Sequence, residues 1–338
     1  MARPTIHVFN TGGTISYGPA AKGATLTYLP EELLAELGVP GRLIYREVLR
    51  KGSVNMTAAD WETIAAAVHG AVQSGTDGIG VFHGTDTLAF TAAALSFMLQ
   101  RLPVPVVLTG SMRPGGEPDS DAPRNARNAL RVAASADLAE VSIVFSRDET
   151  GEGGVILRGN RARKHSSTAL SAFVTPNCPP LGFVEGEAIR YSEAARTRRG
   201  ERGGAGLSPE LNPNVSLVRY HPGCTAASVA AALARVDGAV VEGTGLGHLP
   251  TEGGILAAIR GSGKPVVLVS NCWQGGVRLG VYDVDREILA VENLIPGHDL
   301  TPEAALVKLM WVLAREGTIE RVKARMQEPV AGELTPAG

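Results

Sequence analysis

Short apolar runs alternate along this chain with segments of helical periodicity, and three of the runs end in a turn of glycines and hydroxyl residues. Ile6–Phe9, Ile79–Phe82, Val104–Leu108 and Val141–Phe145 are such runs, with Leu43–Val48 as a further strand candidate. Unbroken apolar strands belong to sheets covered on both faces, whereas half-exposed strands alternate. Helices are expected over Thr57–Ser74, Leu88–Gln100 and Asn125–Ala134. In the first, Thr57 stands where a cap belongs and Asp60 in the first turn, and Trp61, Ile64, Ala65, Val68 and Val72 share one face. Strand and helix in alternation predict a mostly parallel sheet flanked by helices.

Between Tyr191 and Asn214 the rhythm stops in a polar stretch rich in Gly and Arg. It resumes with strands at Val215–Arg219, Ala239–Glu242 and Val266–Ser270. Helices are expected at Ala226–Arg235, Ile255–Ile259 and from Thr301-Pro302-Glu303, with Pro at the favoured first position. The predicted class is therefore α/β. A large N-terminal domain spans 1–190 with a mostly parallel sheet flanked by helices. A linker follows over 191–213, then a smaller C-terminal α/β domain with a parallel sheet over 214–330.

Several function classes are disfavoured. The 32 Lys+Arg are balanced by 34 Asp+Glu, so no basic field is present to hold nucleic acid by charge. The apolar runs are far shorter than a bilayer span, and no membrane association is expected. Met1–Pro4 leads into the first strand without a signal-peptide pattern, so the expected compartment is the cytoplasm. The three cysteines, Cys178, Cys224 and Cys272, show no metal or disulfide spacing. HExxH, GxxxxGK[ST], GxSxG and GxGxxG are absent, and no metal or cofactor is expected.

Three strands deliver similar cargo at their carboxyl ends: TGGT at 11–14, HGTDT at 83–87 and TGSMRP at 109–114. Open α/β sheets bind ligands at that edge. Each turn alone would suit a capped helix start. Three together, one with an adjacent carboxylate, supply the hydroxyls and backbone N–H groups that a nucleophile and an oxyanion hole require. A threonine nucleophile needs a base, and Lys164 in RARKHSST is a candidate. His83, at a strand end, reads as structural.

At these residues the chain closely resembles the bacterial-type L-asparaginase family. TGGTI at 11–15 paired with HGTDT at 83–87 is the specific signature; SDAPRN, RGNRARKHSST, EGTGLGHLP and ALVKLMWVLA extend it over roughly Ile6 to Leu313. The later blocks look like cytoplasmic type I enzymes and equally like the asparaginase-like subunit of the archaeal glutamyl-tRNA amidotransferase. The resemblance implies hydrolysis of the L-asparagine side-chain amide with Thr11 as nucleophile. Thr85 and Lys164 would relay the proton, and Asp86 would hold the substrate α-ammonium. Ser53, Gly84 and Ser111 would complete the substrate-binding set, and Tyr17 or Tyr28, flanking a Gly18–Thr27 lid, would assist Thr11. It also implies a homodimer or homotetramer with shared active sites. Val54 replaces the glutamine that secreted members carry, and Leu246 and His248 replace asparagines; Tyr282 and Asp283 lie near the place of the neighbour-subunit carboxylate. TGGT beginning at residue 11 leaves no room for the extra N-terminal domain of the amidotransferase subunit, which favours the free enzyme. An ammonia-generating amidotransferase subunit and a glutaminase-asparaginase are the alternatives.

Overall fold

The apolar runs pair side by side in the computed structural model, which describes residues 3–18, 34, 37–193, 197–200 and 204–335. Contacts divide the chain into two units, Met1–Pro209 and Glu210–Gly338. The first contains strands β1 (Thr5–Gly12), β2 (Arg42–Lys51), β3 (Gly78–Phe82), β4 (Leu99–Gln100), β5 (Val106–Thr109), β6 (Val141–Ser146), β7 (Gly154–Arg158), β8 (Arg163–Lys164), β9 (Phe173–Val174), β10 (Gly182–Glu185), β11 (Ala188–Tyr191) and β12 (Gly206–Leu207). Eight of them form one sheet in the order β11-β10-β7-β6-β5-β3-β1-β2.

From β6 to β2 every neighbour is parallel. Helices Ala58–Gln73, Leu88–Met98 and Ala122–Ser135 make the crossovers. β3, β5 and β6 are buried along their whole length, which is why their sequences are apolar without alternation. The edge strand β2 instead carries Arg, Lys and Glu along a half-exposed face, the usual protection of a sheet edge. Thr57 caps the helix as expected, and the Asp60 side chain reciprocates by accepting from the Thr57 backbone N–H.

Sheet register sets the site. Phe9 lies opposite Val81, Val81 opposite Leu108, and Leu108 opposite Ile143. The strands therefore finish together, and the segments after β1, β3 and β5 emerge along one edge.

Three strands of this sheet lie outside the sequence reading. β7, β10 and β11 extend it with antiparallel pairing. β10 and β11 are short and half-exposed, joined by a tight turn at Gly186 (φ 61°), so their apolar signal is weak. The expected helix Leu88–Gln100 ends at Met98, because Leu99–Gln100 pairs with Gly206–Leu207. The described part of the Arg-rich stretch is fastened to the first unit. The Arg199 guanidinium donates to Asp77 O (2.6 Å), Ala133 O (3.2 Å) and Ala136 O (3.2 Å), the latter two at the C-terminal end of helix Ala122–Ser135.

The second unit has β13 (Val215–Arg219), β14 (Gly238–Gly243), β15 (Val266–Ser270) and β16 (Leu294–Pro296), all parallel and adjacent in chain order. Thr301 caps helix Pro302–Leu313. Within that helix Lys308 is wholly buried, paired with Glu333 at 2.6 Å and donating to Met326 O and Glu328 O. The pair ties the last described segment into the core. Among the described residues no helix is long and apolar enough to cross a membrane.

Candidate active site

Thr11 is the penultimate residue of β1, within the strand rather than in the turn after it. Its buried Oγ1 donates to Phe82 O at 2.8 Å, which fixes the hydroxyl against the end of the neighbouring strand. Asn10, buried beside it, accepts from Gly12 N at 3.1 Å and from Ser16 Oγ at 2.9 Å. Gly13 N donates to Lys51 O at 3.0 Å. The amides of Gly12 and Gly13 are thus both engaged in shaping the turn.

Glycine is demanded at 13 and 84. Gly13 has φ 80°, and a Cβ there would collide with the backbone of Gly84. A Cβ on Gly84 would stand 2.6 Å from Ser53 Oγ. The TGGT turn, the HGTDT turn and Ser53 are therefore in mutual contact. Ser53 is buried at the head of a 3-10 turn, and its carbonyl accepts from Thr87 Oγ1 at 2.8 Å. Lys51, two residues earlier, grips Asp60 at 2.6 Å and so anchors the end of β2 to the following helix.

Lys164 arrives from β8, in a separate two-stranded hairpin with β9. Its Nζ donates to Thr85 Oγ1 and to Asp86 Oδ1, each at 2.8 Å. Thr85 is buried, while the Asp86 side chain is 69% exposed. An ammonium thus sits between a sheltered hydroxyl and a carboxylate open to solvent. Such a cluster can move a proton through a hydroxyl and can also recognise a cation.

Ser111 is buried and donates to Arg113 O at 2.6 Å, holding the shape of its own turn. Asp121 accepts the amides of Met112 and Arg113 and the Asn125 side chain. Tyr17 lies at this edge, with its Oη 3.8 Å from the Cβ position of Gly52. Tyr28 and residues 19–27 of the expected lid lie outside the described residues.

Among the described residues no group of three or more His, Cys, Asp or Glu could hold a metal ion. In the second unit, His248 faces Asp285 (Nε2–Oδ1 3.1 Å, outside hydrogen-bond alignment) and packs edge-on against Tyr282.

His83 is fully buried. Its Nδ1 donates to Gly84 O at 2.7 Å, which makes Nε2 the acceptor from Thr91 Oγ1 at 3.0 Å. Thr91 in turn accepts from Trp61 Nε1 at 2.9 Å. The neutral ring is thus a brace for the HGTDT turn, and burial pushes its pKa down to about 4. Above pH ~6.5 the ring is neutral folded and unfolded; as the pH falls toward ~4 only the unfolded chain takes the proton, so stability drops. By pH 5 the loss is about 2 kcal/mol. Urea unfolding at pH 7.5 and pH 5 should show that loss, and His83→Gln should flatten the dependence. An unchanged slope in the variant would contradict the assignment.

Comparison with known families places this arrangement. The model described as "Asparaginase, N-terminal" matches residues 5–197, and "Glutaminase/Asparaginase C-terminal domain" matches 214–326. This chain belongs to the asparaginase family. An L-asparaginase of Thermococcus kodakarensis is 37% identical over 335 residues, covering 97% of this chain and 98% of the relative. A glutamyl-tRNA(Gln) amidotransferase subunit of Halobacterium salinarum is 39% identical over 347 residues, covering 98% of this chain and 80% of the relative. The solved thermostable L-asparaginase from T. kodakarensis superposes with a TM-score of 0.90 at 36% identity, over 98% of this chain and 100% of that one. The asparaginase family models therefore cover most of both units.

Proposed function

We propose that this chain is an L-asparaginase, converting L-asparagine and water into L-aspartate and ammonia through an acyl-enzyme on Thr11. The observation that carries this reading is the single cluster at the carboxyl edge of β1 and β3. The Thr11 hydroxyl lies there against Phe82 O, and Lys164 bridges Thr85 and Asp86.

Those contacts support the following steps. Substrate α-ammonium takes the exposed Asp86 carboxylate and the α-carboxylate goes to Ser53. The α-ammonium displaces Lys164 from Asp86 and leaves Nζ to serve Thr85. The Thr11 hydroxyl attacks the side-chain carbonyl carbon; its proton ends on the amide nitrogen, which departs as ammonia. Backbone N–H groups near Thr11 and Thr85 supply the oxyanion hole; those of Gly12 and Gly13 are already engaged. Water, activated through Thr85 and Lys164, then cleaves the ester and restores the hydroxyl. The reading includes a cytoplasmic homo-oligomer with shared sites.

The similarity to an amidotransferase subunit favours a second reading, in which the released ammonia serves a partner. Ammonia release by the purified chain separates them. Turnover of free L-asparagine without any partner is the expected result, and a folded chain releasing nothing would overturn the proposal. L-Glutamine, one methylene longer, should be a poorer substrate by ~10–200-fold.

A further inference from the structure

Lys164 must be held where its amine reaches two partners at once, yet its own element is slight. β8 and β9 are two residues each and, among the described residues, pair only with one another. A lone two-stranded ribbon is marginal by itself. Its base is fixed by Phe173, which is buried and packs on Phe145 with ring centroids 4.8 Å apart. The far end of the hairpin, 165–171, is exposed at His165, Ser167 and Thr168 and buried at Leu170, and it bonds partly to itself: His165 N donates to Ala172 O, and Ser166 Oγ accepts from the amides of Thr168 and Ala169.

The Glu149 side chain reaches that end from elsewhere in the chain. Glu149 lies in the connection between β6 and β7, which rises from the same sheet edge as the site. Its carboxylate accepts three hydrogen bonds: Leu170 N at 3.1 Å, Ser171 N at 3.2 Å and Ser171 Oγ at 2.7 Å. The contacts span more than twenty residues of sequence. The Ser171 hydroxyl first, then the two amides, hold the carboxyl below its usual range, so the acceptor stays ionised at neutral pH. The connection itself is shaped to present it, with Asp148 accepting from Thr150 N at 3.0 Å and Gly151 closing the turn at φ 70°.

We propose that Glu149 is a positioning residue for the reaction: it clamps the hairpin that carries Lys164 and thereby sets the Lys164 Nζ–Thr85 Oγ1 distance. Glu149 touches neither substrate nor reacting atoms and acts only through the hairpin. Small displacements of a proton-relay group are costly in rate, because the relay depends on hydrogen-bond reach. The assignment rests on the asparaginase reading above for its kinetic consequence, and on geometry alone for its structural one.

The test has two arms. Crystal structures of wild type and Glu149→Ala should show segment 163–171 displaced or disordered in the variant, with Thr11, Thr85 and Asp86 unmoved. In kinetics, Glu149→Ala should lower kcat for L-asparagine by about tenfold with KM little changed. Glu149→Gln, which keeps one acceptor oxygen, should fall between the two while its thermal midpoint matches that of Glu149→Ala. The gradation separates a clamp from a general loss of folded protein. An unmoved hairpin, or kcat unaltered in Glu149→Ala, would overturn the inference. Wild-type enzyme that fails to turn over asparagine would instead sink the functional reading and leave the structural arm to decide the clamp.

Discussion

Thr11→Ala should abolish ammonia release from L-asparagine, lowering kcat by about 10⁴-fold or more. Once the nucleophilic hydroxyl is gone, only substrate binding and oxyanion donation remain, and these sustain a small residue of the rate in enzymes of this kind. The fold should survive. Thr11 contributes one buried hydrogen bond, to Phe82 O, and its loss costs about 1 kcal/mol. Thr11→Ser keeps an oxygen nucleophile and should retain measurable turnover, though it lacks the methyl that fixes the rotamer. Steady-state ammonia assays on the three proteins, with thermal unfolding beside them, decide the matter. An alanine variant within tenfold of wild type would remove Thr11 from the nucleophile's role.

The sheet is legible because its central strands are buried on both faces, so that β3, β5 and β6 announce themselves as continuous apolar runs. Legibility fails where burial does. β10 and β11 expose alternate residues at a sheet edge, and β16 is three residues long with a proline. At the site, Thr11, Thr85 and Asp86 can be placed together from sequence, since parallel strands of matched register must finish at one edge. That Lys164 reaches Thr85 is a long-range contact across 79 residues, which no local periodicity encodes. The same holds for Glu149, an unremarkable acidic residue in a loop until its partners at 170 and 171 are seen. Asn10 escapes notice for another reason. A polar residue inside an apolar strand reads as a blemish, whereas its side chain supplies the acceptor that shapes the turn after Thr11. Arg199 shows the converse error: an arginine in a Gly- and Arg-rich stretch suggests solvent, yet its guanidinium is spent on three backbone carbonyls.

Lys164→Met should separate binding from chemistry. The methionine stem preserves most of the packing of a residue that is 19% exposed while deleting the ammonium. General acid–base groups contribute 10²–10⁴-fold, so kcat should fall by about 10³-fold. KM should hold or fall, because Asp86 no longer divides its carboxylate between Nζ and the substrate α-ammonium. Asp86→Asn should do the reverse to binding, raising KM by roughly tenfold through loss of a charge-assisted contact. If water activation is the step that Lys164 serves, mass spectrometry of Lys164→Met quenched during turnover should find the aspartyl ester on the peptide containing Thr11. Full activity in Lys164→Met would overturn the relay. A fall in kcat with no trapped ester would move the lysine's work to the first step, where the Thr11 proton leaves, and the hydroxyl of Thr85 would then connect the two residues before rather than after acylation.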